Sequence, residues 1–129
     1  MRYPQLLIYE TDGRLARMLE ATAGTHRWVL RQPRNLESGL GLLQKGGPAI
    51  LVLSLDSDLD QSLRLLTRTT ESFPDVLTVV AVENDNTALA DLAWDLGAAY
   101  VLTPRQPRDL LLDIVAGLMG AVGSQHEPE

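Results

Sequence analysis

Apolar runs and amphipathic segments alternate along this chain. Each short run of mainly aliphatic or aromatic residues is followed by a longer segment in which apolar residues recur every three or four positions. Glycine or proline lies at several of the boundaries between them. The pattern predicts five strands and five helices in strict alternation. The predicted strands are 5–9, 28–30, 48–54, 76–82 and 99–103, and the predicted helices are 13–23, 35–44, 58–72, 87–96 and 108–122.

The third predicted strand holds the most informative residue of the chain. From Pro48 to Leu53 every position is apolar, and Ser54 follows. Such an uninterrupted run is typical of a strand that is buried on both faces of a parallel sheet. Strict alternation with short connections predicts the same kind of sheet, with helices on both faces. Open α/β sheets bind their ligands just beyond the carboxyl ends of the strands, so Ser54 is expected at the functional edge.

Length, composition and charge narrow the possible functions. The 129 residues are enough for one domain, which we expect to occupy residues 1–122, with 123–129 as a flexible tail or the start of a linker. No apolar run approaches the ~20 residues of a membrane span, and we expect a cytoplasmic protein. The net charge of −6 disfavours direct binding to nucleic acid. The chain has no cysteine, which excludes disulfides and thiolate ligands.

Over about residues 4 to 122, the sequence resembles the receiver domains of two-component response regulators. The resemblance rests on an acidic segment after the first strand, a buried third strand, and a glycine-alanine pair before the fifth strand. It implies a flavodoxin-like (βα)5 fold, in which a doubly wound parallel sheet has the strand order 2-1-3-4-5. The matching segments are LLIY-ETD (6–12), PAILVLS (48–54), PDVLTVVAV (74–82) and GAAYVLTP (97–104).

The resemblance also implies positions for the residues of a phosphorylation site. In that family, acids after strand one bind Mg²⁺, and an aspartate at the end of strand three accepts a phosphoryl group. A threonine or serine after strand four and a lysine after strand five then contact the phosphate. The matching residues here are Glu10, Thr11, Asp12, Ser54, Val82 and Pro104, with Glu83 in place of Val82 if the register slips by one.

These residues depart from the family's chemistry at three positions. Ser54 has no carboxylate that could form an acyl phosphate. Val82 cannot donate a hydrogen bond, and Pro104 offers neither a positive charge nor an N–H group. Glu10 and Asp12 remain as possible metal ligands, but so few carboxylates would hold Mg²⁺ weakly. We therefore expect a pseudo-receiver that is not phosphorylated, is not an enzyme, has no cofactor or resident metal, and acts in signalling through protein–protein contacts.

Two alternatives remain open from the sequence. Asp56 lies two residues beyond Ser54, so in an extended chain it faces the same side and could serve as the acceptor of an active receiver. Alternatively, acids at this edge could surround a cation or a small ligand and make the domain a sensor. The same acids could simply cap the following helices, as Asp12 could for the first. The acids expected at the edge are Glu10, Asp12, Asp56, Asp58, Glu83 and Asp85.

The last predicted helix has more apolar residues than one inward stripe requires. One stripe suffices to cover the sheet, and three further apolar residues then fall on a second face. Excess apolar surface is typical of a partner site. In the receiver family, the surface of helix four, strand five and helix five is a common dimer face. We therefore expect a homodimer, or contact with a protein partner or fused effector, through this surface. The inward stripe is Leu111, Ile114, Leu118 and Val122, and the expected interface is Leu112, Val115 and Met119 together with Trp94.

Overall fold

Five parallel strands form one sheet in the order β2-β1-β3-β4-β5. The computed structural model describes residues 4–10, 12–46, 49–55, 59–107 and 109–126. Strands and helices alternate as predicted, and the strand order is the one that the resemblance implies. The strands are β1 (Gln5–Tyr9), β2 (Val29–Arg31), β3 (Ala49–Leu55), β4 (Leu77–Val82) and β5 (Tyr100–Leu102). The helices are α1 (Arg14–His26), α2 (Leu36–Gln44), α3 (Leu59–Ser72), α4 (Thr87–Asp95) and α5 (Leu110–His126).

The two faces of the sheet are covered by separate apolar clusters. Helices α2, α3 and α4 pack on one face, and α1 and α5 pack on the other. All seven residues of β3 are buried, as the uninterrupted run predicts. Their side chains alternate between the faces, so Leu53 and Leu55 contact the α2–α4 side while Val52 contacts the α1–α5 side. Ser54 therefore faces the α1–α5 side of the sheet.

Helix α5 is rotated relative to the sequence prediction. Leu111, Val115 and Met119 form its inward stripe, with exposures of 0%, 0% and 2%. The assignment of Val115 and Met119 to an exposed second face is therefore wrong. Leu112 is half-buried. Almost every position in the first part of this helix is apolar, so hydrophobicity alone could not set the phase of the stripe.

Strand β3 and helix α5 both end later in the chain than the sequence predicts. Strand β3 continues through Leu55, so Ser54 is its penultimate residue. Helix α5 continues to His126, and it therefore includes the first four residues of the segment expected to be a flexible tail. After the start of α5, no proline occurs before Pro128, so the sequence permits the helix to extend through these polar residues. Residues 127–129 lie outside the described part of the chain.

Gly97 lets α4 end in close contact with α3. Its φ angle of +105° is one that side chains with a Cβ rarely adopt. A Cβ at this position would lie 2.5 Å from Cγ2 of Thr70 on α3. Glycine is therefore required by both the backbone conformation and the space available.

Candidate functional site at the carboxyl edge of the sheet

Glu10, the first residue beyond β1, caps helix α1. Its Oε1 accepts a hydrogen bond from the N–H of Leu15, and its Oε2 accepts one from the N–H of Ala16, both at 2.8 Å. The first-turn amides of a helix have no partner within the helix, and the helix dipole favours a negative charge near them. Glu10 therefore satisfies two of these amides and places its charge where the dipole stabilises it.

Asp12 forms a local pair with Arg14. Its Oδ1 accepts a hydrogen bond from the backbone N–H of Arg14 at 3.1 Å, and its Oδ2 accepts one from Nε at 2.6 Å. The backbone N–H and the guanidinium of Arg14 hold the pKa of Asp12 below its ordinary value of 3.8. Gly13, and not Asp12, is the N-cap residue of α1, but Asp12 still accepts a hydrogen bond from the first amide of the helix. Glu10, further back along the chain, provides most of the capping.

Ser54 and Glu83 extend this arrangement across the sheet. The Ser54 hydroxyl donates to Oε1 of Glu83 at 3.3 Å, which is longer than the usual O–H···O distance of about 2.5–3.0 Å, so this bond is weak. The other oxygen of Glu83, Oε2, lies 3.9 Å from Nη2 of Arg14. Ser54 is only 5% exposed, and the Glu83 side chain is 12% exposed. A chain of polar contacts thus runs from β3 through Glu83 and Arg14 to Asp12, with the Arg14 guanidinium between two carboxylates.

The register between β3 and β4 differs from the one that the sequence assignment of Val82 assumed. Ser54 is paired with Ala81, and Leu55 is paired with Val82. Val82 is 3% exposed and packs in the α2–α4 cluster, on the face opposite Ser54. The assignment of the hydroxyl position to Val82 is therefore wrong, because β3 extends one residue beyond Ser54. Glu83, the alternative if the register slips, is the residue that contacts Ser54.

The loop after β5 is held by hydrogen bonds of Gln106. Thr103 is the first residue beyond β5, and Pro104 is exposed in the turn that follows. Gln106 accepts a hydrogen bond from the N–H of Thr103 at 3.0 Å and donates one to the hydroxyl of Tyr100 at 2.9 Å. These contacts fix the start of the loop through Gln106, and Pro104 takes no part in them.

An ion pair connects the loops that follow β4 and β5. Arg105 Nη2 lies 3.3 Å from Oδ2 of Asp85, and both side chains are well exposed. Such a pair contributes little to stability. Of the acids expected at this edge, Asp85 is therefore engaged with Arg105, whereas Asp56 and Asp58 lie outside the described residues, as does Thr11.

The carboxylates of Glu10, Asp12 and Glu83 each contact protein groups of their own. Glu10 binds the amides of α1, Asp12 binds Arg14, and Glu83 contacts Ser54 and Arg14. Among the described residues, no group of three or more histidine, aspartate or glutamate side chains is arranged to hold a metal ion. The sequence did not single out Arg14, because no motif marks an arginine that lies between two acids contributed by separate loops.

Helix α4 carries the exposed large apolar side chains of the described residues. Leu92 is 40% exposed and Trp94 is 47% exposed. The Trp94 ring contacts the Tyr100 ring edge to face, with centroids 5.8 Å apart and planes at 65°. The aromatic pair therefore lies beside the short edge strand β5, with Trp94 half in solvent. Trp94 is the one predicted interface residue that is clearly exposed.

No protein-family model matches the chain, and no curated protein sequence matches it significantly. Many solved structures do share its fold. The signal receiver domain of an HD domain-containing protein from Pseudomonas fluorescens Pf-5 superposes with a TM-score of 0.80 at 17% identity, covering 100% of this chain and 96% of that one. A CheY-like response regulator receiver domain protein from Methanospirillum hungatei JF-1 has a TM-score of 0.77 at 10% identity, covering 96% and 99%.

A third similar structure is that of an assembly. It is the beryllofluoride-activated NtrC4 receiver domain dimer, with a TM-score of 0.76 at 14% identity, covering 92% of this chain and 98% of that one. No helix within the described residues is both long and apolar enough to cross a membrane. The strand order, the placement of the helices and these superpositions together show that the chain has the fold of the response-regulator receiver domains.

Proposed function

We propose that this domain is a pseudo-receiver: a signalling module that is not phosphorylated, has no catalytic activity of its own and acts through protein–protein contacts. The observation that carries the proposal is Ser54. It occupies the penultimate position of β3, it is buried, and its hydroxyl contacts Glu83. A hydroxyl in this place offers no carboxylate nucleophile, and an incoming phosphoryl donor would have to displace Glu83.

The surrounding charges support the same proposal. Mg²⁺ needs several oxygen ligands in near-octahedral geometry. Glu10 has both carboxylate oxygens bound by helix amides, and the Arg14 guanidinium already lies between Asp12 and Glu83. Arg14, which stays protonated, thus supplies a positive charge in a region where an active receiver would need a metal ion and a lysine.

The proposal is tested by incubating the protein with acetyl phosphate and Mg²⁺ and measuring its intact mass. We expect no change, while an aspartate-bearing receiver domain treated in parallel gains one phosphoryl group. A stoichiometric gain in this protein would overturn the proposal. Loss of that gain in Asp56→Asn would identify Asp56 as the acceptor, and loss in Ser54→Ala would identify Ser54.

We further propose that the domain is cytoplasmic and associates with a second copy of itself, a protein partner or a fused effector through the surface of α4, β5 and α5. Trp94 and Leu92 support this proposal, because they are the large apolar side chains left exposed on α4. With Val115 and Met119 in the core, the proposed centre moves from α5 to Trp94, with half-buried Leu112 nearer the edge.

Sedimentation velocity at high micromolar concentration tests the homodimer, which should form without Mg²⁺ and tolerate high salt because its centre is apolar. Trp94→Glu should give a monomer, since it places an unpaired charge in the interface. Glu71→Gln, at an exposed position on α3, is the matched control and should sediment as the wild type does. A wild type that is monomeric under these conditions excludes the homodimer and leaves the partner or effector.

A further inference from the structure

Helix α4 carries two exposed acids beside its exposed apolar side chains, Leu92 and Trp94. Asp91 and Asp95 lie four residues apart, so they share the face of the helix that carries Leu92. Within the described residues, neither carboxylate forms an ion pair or a hydrogen bond. The outer face of α4 is therefore both apolar and negatively charged.

The two acids are placed where they destabilise the helix. Like charges four residues apart repel each other on a helix surface. Asp95 is also the last residue of α4, where the helix dipole favours a positive charge, and the last turn contains no basic residue. An arrangement that costs stability without compensation nearby is expected mainly at functional sites. A positive charge on a binding partner would provide that compensation.

The part of the chain around α4 is strongly acidic. Residues 69–104, which include the whole helix, contain six acids and no lysine or arginine. The next base along the chain is Arg105, which already pairs with Asp85. A second copy of the domain cannot supply a cation from its own α4, because the helix contains none. Charge complementarity therefore favours a different protein, with positive charges of its own.

We propose that the outer face of α4 binds a basic amphipathic segment of another protein, whose apolar side chains pack on Leu92 and Trp94. The lysines or arginines of that segment pair with Asp91 and Asp95. Trp94 is suited to the contact, because its ring rests edge to face against Tyr100 of β5 and remains half in solvent. The proposal rests on the proposed use of the α4, β5 and α5 surface for protein contacts, and it adds the chemistry of the partner.

A helical peptide with leucines on one face and lysines on the other is a suitable probe, and its counterpart with glutamate in place of lysine keeps the same apolar face. We expect the lysine peptide to shift the amide resonances of Asp91 and Leu92 and the indole resonance of Trp94 saturably in ¹⁵N spectra of the full chain. The glutamate peptide at the same concentration should leave them unchanged. Binding of the lysine peptide should weaken as salt is added, because its ion pairs are exposed to solvent.

The double variant Asp91→Asn/Asp95→Asn separates binding from folding. It should weaken binding of the lysine peptide about threefold to thirtyfold, which is the effect of removing two exposed ion pairs. The same variant should unfold at a temperature about 1–4 °C higher than the wild type, because it removes the repulsion and the unfavourable position in the helix dipole. Acids with a purely structural role would not combine these two effects.

The matched control is Glu20→Gln/Glu37→Gln, which removes the same charge at exposed positions of α1 and α2. It should bind the lysine peptide as the wild type does. The proposal is overturned if the lysine peptide does not bind, if the glutamate peptide binds equally well, or if the control loses as much affinity as the α4 variant. Equal binding of both peptides at α4 would refute only the cationic chemistry, whereas shifts confined to residues outside α4, β5 and α5 would also contradict the proposed use of that surface.

Discussion

Replacing Glu10 by alanine tests whether this acid is a helix cap or a metal ligand. The change leaves the N–H groups of Leu15 and Ala16 without an acceptor, and both residues are buried. The other first-turn amides are unaffected, because that of Arg14 binds Asp12 and that of Arg17 binds the carbonyl of Gly13. Glu10→Ala thus removes at least these two charge-assisted hydrogen bonds.

The expected cost follows from those two bonds. Each buried donor left unpaired costs about 1–3 kcal/mol, and the loss of a helix cap costs about 0.5–2 kcal/mol in all. Because Asp12 and Arg14 beside the first turn are exposed, water can reach part of that turn in the variant, and we expect the lower part of the combined range, about 2–4 kcal/mol for Glu10→Ala. Glu10→Gln keeps one acceptor oxygen without the charge and should cost about half as much.

Urea unfolding followed by circular dichroism, in buffer without Mg²⁺, measures both variants. Glu20→Ala is the matched control, since it truncates the same side chain at an exposed position of the same helix and should change stability by less than about 0.5 kcal/mol. The capping argument is refuted if Glu10→Ala is as stable as Glu20→Ala. A loss that appears only when Mg²⁺ is present would instead make Glu10 a metal ligand.

Three further predictions concern other parts of the structure. Gly97→Ala should cost about 2–4 kcal/mol in urea unfolding, from backbone strain and overlap with Thr70, whereas Gly41→Ala in α2, with open space around it, should stabilise by about 0.5–1 kcal/mol. Because the pKa of Asp12 is lowered in the folded protein, ionised Asp12 stabilises the fold fully above its ordinary pKa of 3.8. That stabilisation is lost as the pH falls through the lower pKa of the folded state. Asp12→Asn should therefore flatten the acid side of a stability-against-pH curve. Val115→Glu buries a charge in the core and should prevent folding, as a lost unfolding transition in calorimetry would show.

The sheet could be predicted because its strands are buried on both faces. The uninterrupted apolar run of β3 and the regular alternation of strands and helices leave few topologies to consider. The order of the strands came from the resemblance, since periodicity does not say which strands are neighbours. Helix α5 could not be oriented in the same way. Its residues 110–112, 114 and 115 are all apolar, so Val115 had no sequence feature that distinguished it from Leu112.

The site was predicted less completely than the fold. Ser54 was correctly expected near the carboxyl edge. However, β3 continues to Leu55, which pairs with Val82, so Ser54 lies beside Ala81 on the other face of the sheet. Including that leucine in the predicted strand would have placed Val82 on the opposite face. The contact of Glu10 with amides five and six residues further on spans more than the three-residue spacing of a capping box, so sequence rules for caps do not find it.

The residues at this edge depend on one another. An aspartate in place of Ser54 would bring a second carboxylate close to Glu83, where like charges repel and one carboxyl group would be driven toward its protonated form. A serine instead donates to Glu83, and Arg14 offsets the charge that remains. The positive charge of Arg14 and the amides of α1 thus stabilise Glu10, Asp12 and Glu83 through contacts within the protein.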